Sequence, residues 1–425
     1  MNLKKLVAGS FFIRISGMFF TLIVGVQLAK LLGPEGYGYY AFAMSLTTIL
    51  LIPTQLGIPQ LIVKEVPRFR QNKSLSSING IVKWSSSINF TLSLIILLFA
   101  CFVIYFSIDE EKSYTIIISL ISIPILGQIG IKSALLRSYE KLYIGQSLDT
   151  IIYPFILSIL IFVFSSLKDI TPESAMFLRL FAVFLVLILA KVYIYSSDMN
   201  YRNAKDAVYN KSSWMNTTIP FALSEGMRVL QGNYIAVVMG FMVEASYLGI
   251  YKVAASLLLF LNLPLTVVSS IGSPYISKLY ARNDLLALEN LIRNLSFILT
   301  ITTILFLLPF LFFGEDIFTI VFGSEFIGSS KAFLIMGLST CVVSIFGPSA
   351  ILLNMCGKGK VVTKISIISL MFLCFISIPM IYMFNVEGAA LSYSFGLIFN
   401  RIYLYIMAER HFEFKTGILP TFVRT

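Results

Sequence analysis

Charge is scarce in this sequence. Only 12% of its 425 residues are Asp, Glu, Lys or Arg, while 57% are hydrophobic and 14% aromatic, for a mean hydropathy of +0.88. A soluble chain of this length needs far more polar surface to stay dissolved, so a water-soluble globule is excluded. Histidine occurs once, as His411 near the carboxyl end, which removes the usual general base and most metal sites. The four cysteines, Cys101, Cys341, Cys356 and Cys374, have no CxxC spacing and mostly lie within apolar runs. Packing, rather than disulfides or metal, is their expected role. "GKGK" at 357–360 lacks the spacing of a phosphate-cradling loop, so nothing points to ATP hydrolysis. The short alternating segments of a membrane barrel are missing too; runs such as "IIISLISIPILGQIGI" are continuous.

What fills the sequence is apolar runs of about 20 residues, each long enough to cross a hydrocarbon core of about 30 Å. They predict an all-α polytopic membrane protein with twelve transmembrane helices. The spans are expected near 8–32, 40–62, 84–107, 114–134, 148–167, 174–195, 214–240, 247–274, 293–313, 331–353, 362–384 and 388–408. With the amino terminus in the cytoplasm, 23 Lys and Arg near span ends fall on the inner side. Only four, Lys30, Lys112, Lys168 and Lys331, fall on the outer. This is the positive-inside pattern, and it holds along the whole chain only if twelve spans leave both termini cytoplasmic. It also accounts for the net charge of +11 without nucleic acid as a partner. The amino-terminal stretch "MNLKKLVAGSFFIRISGMFF" resembles a signal peptide, but Arg14 interrupts it and no small-residue cleavage site follows, so an uncleaved first span is expected.

The joints are short and carry Gly and Pro. "LLGPEGYGYYAFAMSL" (31–46) is too polar in its middle for a helix and is expected to turn outside the membrane between the first two spans. Segments near 196–213 and 275–292 are expected to be cytoplasmic connecting helices, and "DEEK" at 109–112 a solvated outer loop. A shift of 211 residues lays "GYYAFAMSLTTILLIP" (38–53) on "GIYKVAASLLLFLNLP" (249–264), matching Gly38, Tyr40, Ala43, Ser45, Leu46, Leu50 and Pro53. Six spans separate the copies, so the chain reads as two parallel-related six-helix lobes around a central cavity. Residues 1–196 form the first lobe, 197–213 a cytoplasmic linker, 214–410 the second lobe and 411–425 a cytoplasmic tail.

A charge at mid-bilayer costs about 2.5–3.5 kcal/mol on insertion scales, so the few charges within spans are the candidate site residues. Arg14 lies in span one; Glu225 and Arg228, three residues apart and on one helical face, lie in span seven. The 211-residue shift sets Arg14 on Glu225. Arg14, Glu225 and Arg228 are therefore expected to form a hydrated, net-positive site for an anionic headgroup such as pyrophosphate, because guanidinium groups grip phosphate oxygens in forked pairs. A structural Arg14–Glu225 pair locking the halves is the bland alternative. Arg179 and Lys252, near the outer ends of spans six and eight, are expected to snorkel or else line the cavity. Arg401, deeper in span twelve, either lines the cavity or snorkels inward. Glu225 is the only carboxylate well inside a span by these limits, so no acid–base pair is available for an enzyme.

The pattern "R…LAKLLGPEGYGYYAFA" of the first two spans, continuing through "TQLGIPQLIVKEVPRFRQ" (54–71), resembles the polysaccharide transporters of the multidrug/oligosaccharidyl-lipid/polysaccharide (MOP) exporter superfamily. It is especially similar to Wzx-type flippases for lipid-linked O-antigen or capsule repeat units. The resemblance implies a V-shaped cavity, alternating access, and export of an undecaprenyl-pyrophosphate-linked oligosaccharide across a bacterial cytoplasmic (inner) membrane. It implies membrane lipids, a polysaccharide polymerase and glycosyltransferases as partners, and no cofactor; coupling to H+ or Na+ stays open. Arg14 matches the basic residue common in the first span of such flippases, where it is thought to meet the headgroup. Three rivals differ in what they require. A cation-coupled multidrug exporter is expected to carry acids deep in the first lobe, and spans one to six have none by these limits. A lipid II flippase typically has further spans. A membrane polysaccharide polymerase needs a large outer loop with Arg or His.

Overall fold

A computed structural model of the chain describes residues 3–107, 110–197, 199, 206–412, 414, 416 and 417, with side chains placed from residue 9 onward except in 103–112. The described residues contain helices and no strand. In chain order these are α1 (Leu3–Gln55), α2 (Ile58–Gln71), α3 (Leu75–Ser107), α4 (Glu110–Ser138), α5 (Leu142–Ser147), a π-turn (Leu148–Ile152), α6 (Tyr153–Ser165), α7 (Pro172–Ser196) and α8 (Lys211–Met242). They continue with α9 (Ala245–Leu261), α10 (Leu263–Ala281), α11 (Leu285–Phe322), a 3₁₀ turn (Ser324–Phe326), α12 (Gly328–Ser344), α13 (Ser349–Met355) and α14 (Gly359–Phe412).

Eight helices are long and apolar enough to cross a membrane, and α12 with α13, bent by 52°, makes a ninth. Two of these each hold two crossings. At 1.5 Å per residue, α1 and α14 would each run about 80 Å, more than twice a bilayer core. Both leave helical geometry near their middle, α1 at Gly33 (φ 66) and α14 at Asn385 (φ 46). The twelfth crossing is α8, whose 32 residues include Glu225 and Arg228 and so fall short on hydropathy rather than on length.

The first joint is tighter than the sequence implies. Only Gly33 is non-helical, and helix resumes at once, so 34–46 is helical after all. Proline's fixed φ suits the first turn of a helix, where its missing N–H would be unbonded anyway, and Pro34 therefore starts the second crossing. Under the 211-residue shift Gly33 falls on Glu244, the extended residue immediately before α9, so the seventh and eighth spans turn at the same register. Residues 275–292 are not a connecting helix but the abutting ends of α10 and α11, with the Asp284 carboxylate accepting from Ala287 N (3.0 Å) to cap α11. In the expected linker, residues 198 and 200–205 lie outside the described residues, and 206–210 are non-helical. Val208 N donates to Ser76 O (3.1 Å) there, pinning the strand of chain to α3. The side chains of 109–112 also lie outside the described residues; Glu110 itself begins α4.

By contacts the chain divides at Val237–Val238, within α8. The first unit is centred on Ile58, Leu61, Ile62 and Val66 of α2, packed with Ile78 and Ile81 of α3, Leu135 of α4 and Val183 and Val186 of α7. Trp214 of α8 joins it against Trp84, ring centroids 5.3 Å apart. The second unit's inner cluster gathers Ile276, Ile292, Leu352, Leu404 and, from the expected tail, Phe412 and Phe414. The start of that tail is thus packed rather than solvated: Thr416 O accepts from Ser296 Oγ (2.9 Å), and Thr416 Oγ1 meets Ser349 Oγ (3.1 Å). All four cysteines are free. Cys356 belongs to the second cluster, where burial pushes its thiol up to about 11, as a packing residue requires.

Candidate functional site

In the first unit the second span breaks at Leu56 (φ 45) and Gly57 (φ 69) before α2 begins at Ile58-Pro59. Glycine is required at 57 twice over. A Cβ there would sit in the left-handed region and only 2.7 Å from Ala222 N and Phe221 Cβ of α8. Irregular backbone at membrane depth persists where it lines a cavity, and a half-open one lies here. Its walls are Thr48, Leu51, Ile52 and Gln55 of α1, Gln60 of α2, and Ala222, Glu225 and Val229 of α8. Glu225 and Arg228 pair with each other: Arg228 Nε donates to Glu225 Oε2 (3.2 Å), and its terminal nitrogen bonds Oε1. The Glu225 side chain is 38% exposed and that of Arg228 73%. Gln60 Oε1 is buried and has no hydrogen-bond partner among the described residues. The cavity wall therefore offers the Gln55 and Gln60 amides, which both donate and accept, beside the Glu225 carboxylate.

Arg14 is not in this cavity. One face of α1 packs on the fifth span: Gly9 against Tyr143, Gly17 against Thr150 O (where a Cβ would approach to 2.5 Å), and Phe20 against Phe155 at 5.3 Å. Ile13 is buried on that face, whereas Arg14, one residue on and a quarter-turn away, is exposed. It makes no ion pair with any described residue, so the expected Arg14–Glu225 pair is absent among them. The reason is local. Glu225 has a guanidinium one helical turn away and needs none from α1.

Arg179 neither snorkels nor faces a cavity. It is 3% exposed inside the first unit, with a terminal nitrogen donating to Ser122 Oγ (3.2 Å) and lying 3.7 Å from Met176 Sδ. Its Nε has no partner among the described residues, and the Tyr40 phenol lies near. Ser122 of α4 and Ala175 and Ala182 of α7 are themselves buried, and α4 and α7 pack along each other. Lys252, in α9, is half-buried and forms no ion pair among the described residues. Arg401 belongs to the second unit, where it lines a separate cavity with Asn262 and Thr303; Asn400 beside it donates to Ser369 Oγ (3.0 Å).

One acid escaped the sequence reading. The fifth span begins at Leu142 rather than 148, which moves Asp149 from its edge to its eighth residue. It sits in the π-turn, a geometry that recurs at functional sites. Ser133 and the Arg137 guanidinium of α4 lie beside it. Close packing at Gly145, whose Cβ would come 2.7 Å from Ser133 O, holds the two spans together there.

An all-helical chain with interrupted spans and guanidinium groups at depth is a multi-pass membrane protein, and its fold is that of the MOP-superfamily transporters. It is similar to the inward-facing conformation of a multidrug resistance MATE family transporter of that superfamily, with a TM-score of 0.79 at 11% identity over 95% of this chain and 98% of the transporter. It is similar as well to the lipid II flippase MurJ in its inward closed conformation, with a TM-score of 0.70 at 17% identity over 95% and 87% of the two chains. Within this class the chain belongs to the polysaccharide biosynthesis protein family, whose model matches residues 6–280. The capsular polysaccharide biosynthesis protein CapF of Staphylococcus aureus is 25% identical to it over 405 residues, 93% of this chain and 95% of CapF.

Proposed function

We propose that this protein is a flippase that carries undecaprenyl-pyrophosphate-linked oligosaccharide repeat units from the cytoplasmic to the outer leaflet of a bacterial cytoplasmic membrane, by alternating access, for capsule or O-antigen synthesis. The observation that supports this reading best is Arg14, an exposed guanidinium about 17 Å along the first helix with no carboxylate to neutralise it among the described residues. A charge left unpaired at that depth is costly unless it meets water or an anion, and a pyrophosphate supplies the anion. The polar wall at Gln55, Gln60 and Glu225 suits the other end of such a substrate, whose sugar hydroxyls both donate and accept. The polyprenyl tail would stay in lipid. Both termini face the cytoplasm in this reading, as the distribution of Lys and Arg requires. Glycosyltransferases would supply the substrate and a polymerase consume it. Deleting the gene is expected to leave undecaprenyl-linked repeat units on the inner leaflet and to strip the cell of the matching surface glycan. Normal surface glycan in such a strain, with no second transporter present, would overturn the reading.

Asp149 favours a second one, a cation-coupled exporter, since such a protein needs an acid at depth in its first lobe. It would equally serve a flippase driven by H+ or Na+. Asp149→Asn keeps the side-chain volume and is expected to cut gradient-driven transport about tenfold without loss of folded protein. Extrusion of a cationic dye by the wild type, abolished in this variant, would select the exporter. Transport by Asp149→Asn that still follows the ion gradient would remove Asp149 from the coupling step.

A further inference from the structure

The second unit holds a small, half-open pocket that neither reading uses. Two interrupted spans meet at it: Asn262 stands at the junction of α9 and α10, and Gly347 (φ 68) in the bend between α12 and α13. Thr303 of α11, Thr340 and Ser344 of α12 and Arg401 of α14 complete the polar part of its wall. Arg401 lies eleven residues before the end of α14, roughly 16 Å along the axis, and its side chain lines this pocket. The Tyr393 phenol lies beside it, and Tyr393 in turn bonds Asn262. No described carboxylate forms an ion pair with Arg401.

The other polar groups are already bonded to their own helices. Asn262 Nδ2 donates to Leu258 O (3.0 Å), Thr303 Oγ1 to Leu299 O (2.7 Å), Thr340 Oγ1 to Met336 O (2.9 Å) and Ser344 Oγ to Cys341 O (2.6 Å). They satisfy themselves and leave the guanidinium as the one group in the cavity whose charge has no counterpart. A cation would meet repulsion there. An anion would meet a forked donor, and a hydroxyl that turned from its helix carbonyl would reach it as a second donor.

We propose that Arg401, between the broken spans at Asn262 and Gly347, is a binding site for a compact anion within the second unit. The anion is either a free ion from solution or the acid group of a sugar carried by the substrate. Occupancy neutralises Arg401 and ties together the two spans whose helices are interrupted at the cavity. The inference stands apart from the flippase reading and from Arg14.

The test is thermal unfolding of the purified full-length protein in detergent, titrated with chloride, phosphate or glucuronate against a bulky sulfonate at matched ionic strength. Saturable stabilisation is expected from at least one of the three. Arg401→Gln is expected to weaken its apparent affinity at least about tenfold, while Lys358→Gln, which removes an exposed cation outside the pocket, leaves it unchanged. Should Arg401→Gln fold poorly, Ser344→Ala with Thr303→Val is expected to weaken the same response severalfold. A response to chloride or phosphate identifies a free ion, and a response to glucuronate alone identifies a sugar acid. Absence of any saturable response, or an undiminished one in the variants, overturns the proposal. Neither result bears on whether lipid-linked repeat units accumulate in a deletion strain.

Discussion

Replacing Arg14 with alanine is expected to lower delivery of surface glycan at least about tenfold at unchanged protein level, and replacing it with lysine to retain part of the activity. A charge-assisted hydrogen bond is worth about 1.5–3 kcal/mol, or roughly ten- to a hundredfold in rate or affinity. The substitution is a clean one. Arg14 is exposed, has no ion pair to break among the described residues, and stands off the Gly9–Ile13–Gly17 face that holds the first span to the fifth. No cavity opens when it is shortened, so lost activity would not reflect lost fold. Lysine preserves the charge but not the fork that matches two phosphate oxygens, hence the intermediate outcome. Glycan output and membrane protein level, measured together in a complemented deletion strain, decide the matter. Full output from the alanine variant would mean that Arg14 does not touch the headgroup.

The same residue shows what a sequence can and cannot reveal about such a chain. Spans were legible because the bilayer imposes a length and a polarity that composition reports directly, and the 211-residue repeat even placed Gly33 on the matching joint at Glu244. Charges at depth were equally visible. Their partners were not, because which guanidinium meets which carboxylate depends on helix rotation, and hydropathy is nearly blind to rotation in a helix apolar all round. The repeat thus groups Arg14 with Glu225 and Arg228, whereas Glu225 pairs with Arg228 along its own helix and Arg14 stands apart. Arg179 was set near the membrane surface by its distance from a helix end, yet α4 and α7 enclose it. Asp149 was lost to a boundary: polar residues in "GQSLDT" pushed the predicted start of the fifth span past the true one. The turn at 139–141 that precedes Leu142 is Tyr-Glu-Lys, without Gly, Pro or Asn, so no breaker marks the true start.

Gly347→Ala is expected to be among the most damaging single-methyl changes in the second unit. Gly347 adopts φ 68, which costs an L-residue about 1–2 kcal/mol by itself. Its α-hydrogen side is also filled: a Cβ would overlap both Ser296 Oγ and the Thr416 carbonyl, the two atoms whose hydrogen bond secures the packed start of the tail. Relief by rotating one flexible group is not available, because one obstacle is backbone and the other is bonded to it. Separating them forfeits a buried hydrogen bond, about 1–3 kcal/mol more, and loosens Gly417 from Ile345 O and the Tyr405 ring. Gly357→Ala is the internal control. It shares the left-handed backbone (φ 78), but nothing lies within 4 Å of the added carbon, so it should show the conformational cost alone. Thermal unfolding of both variants separates strain from collision: Gly347→Ala should fall further than Gly357→Ala by the equivalent of about 1–3 kcal/mol. Equal shifts in the two would mean that the tail does not bear on the bend of the tenth span, since the carbon added at 347 would then have found room.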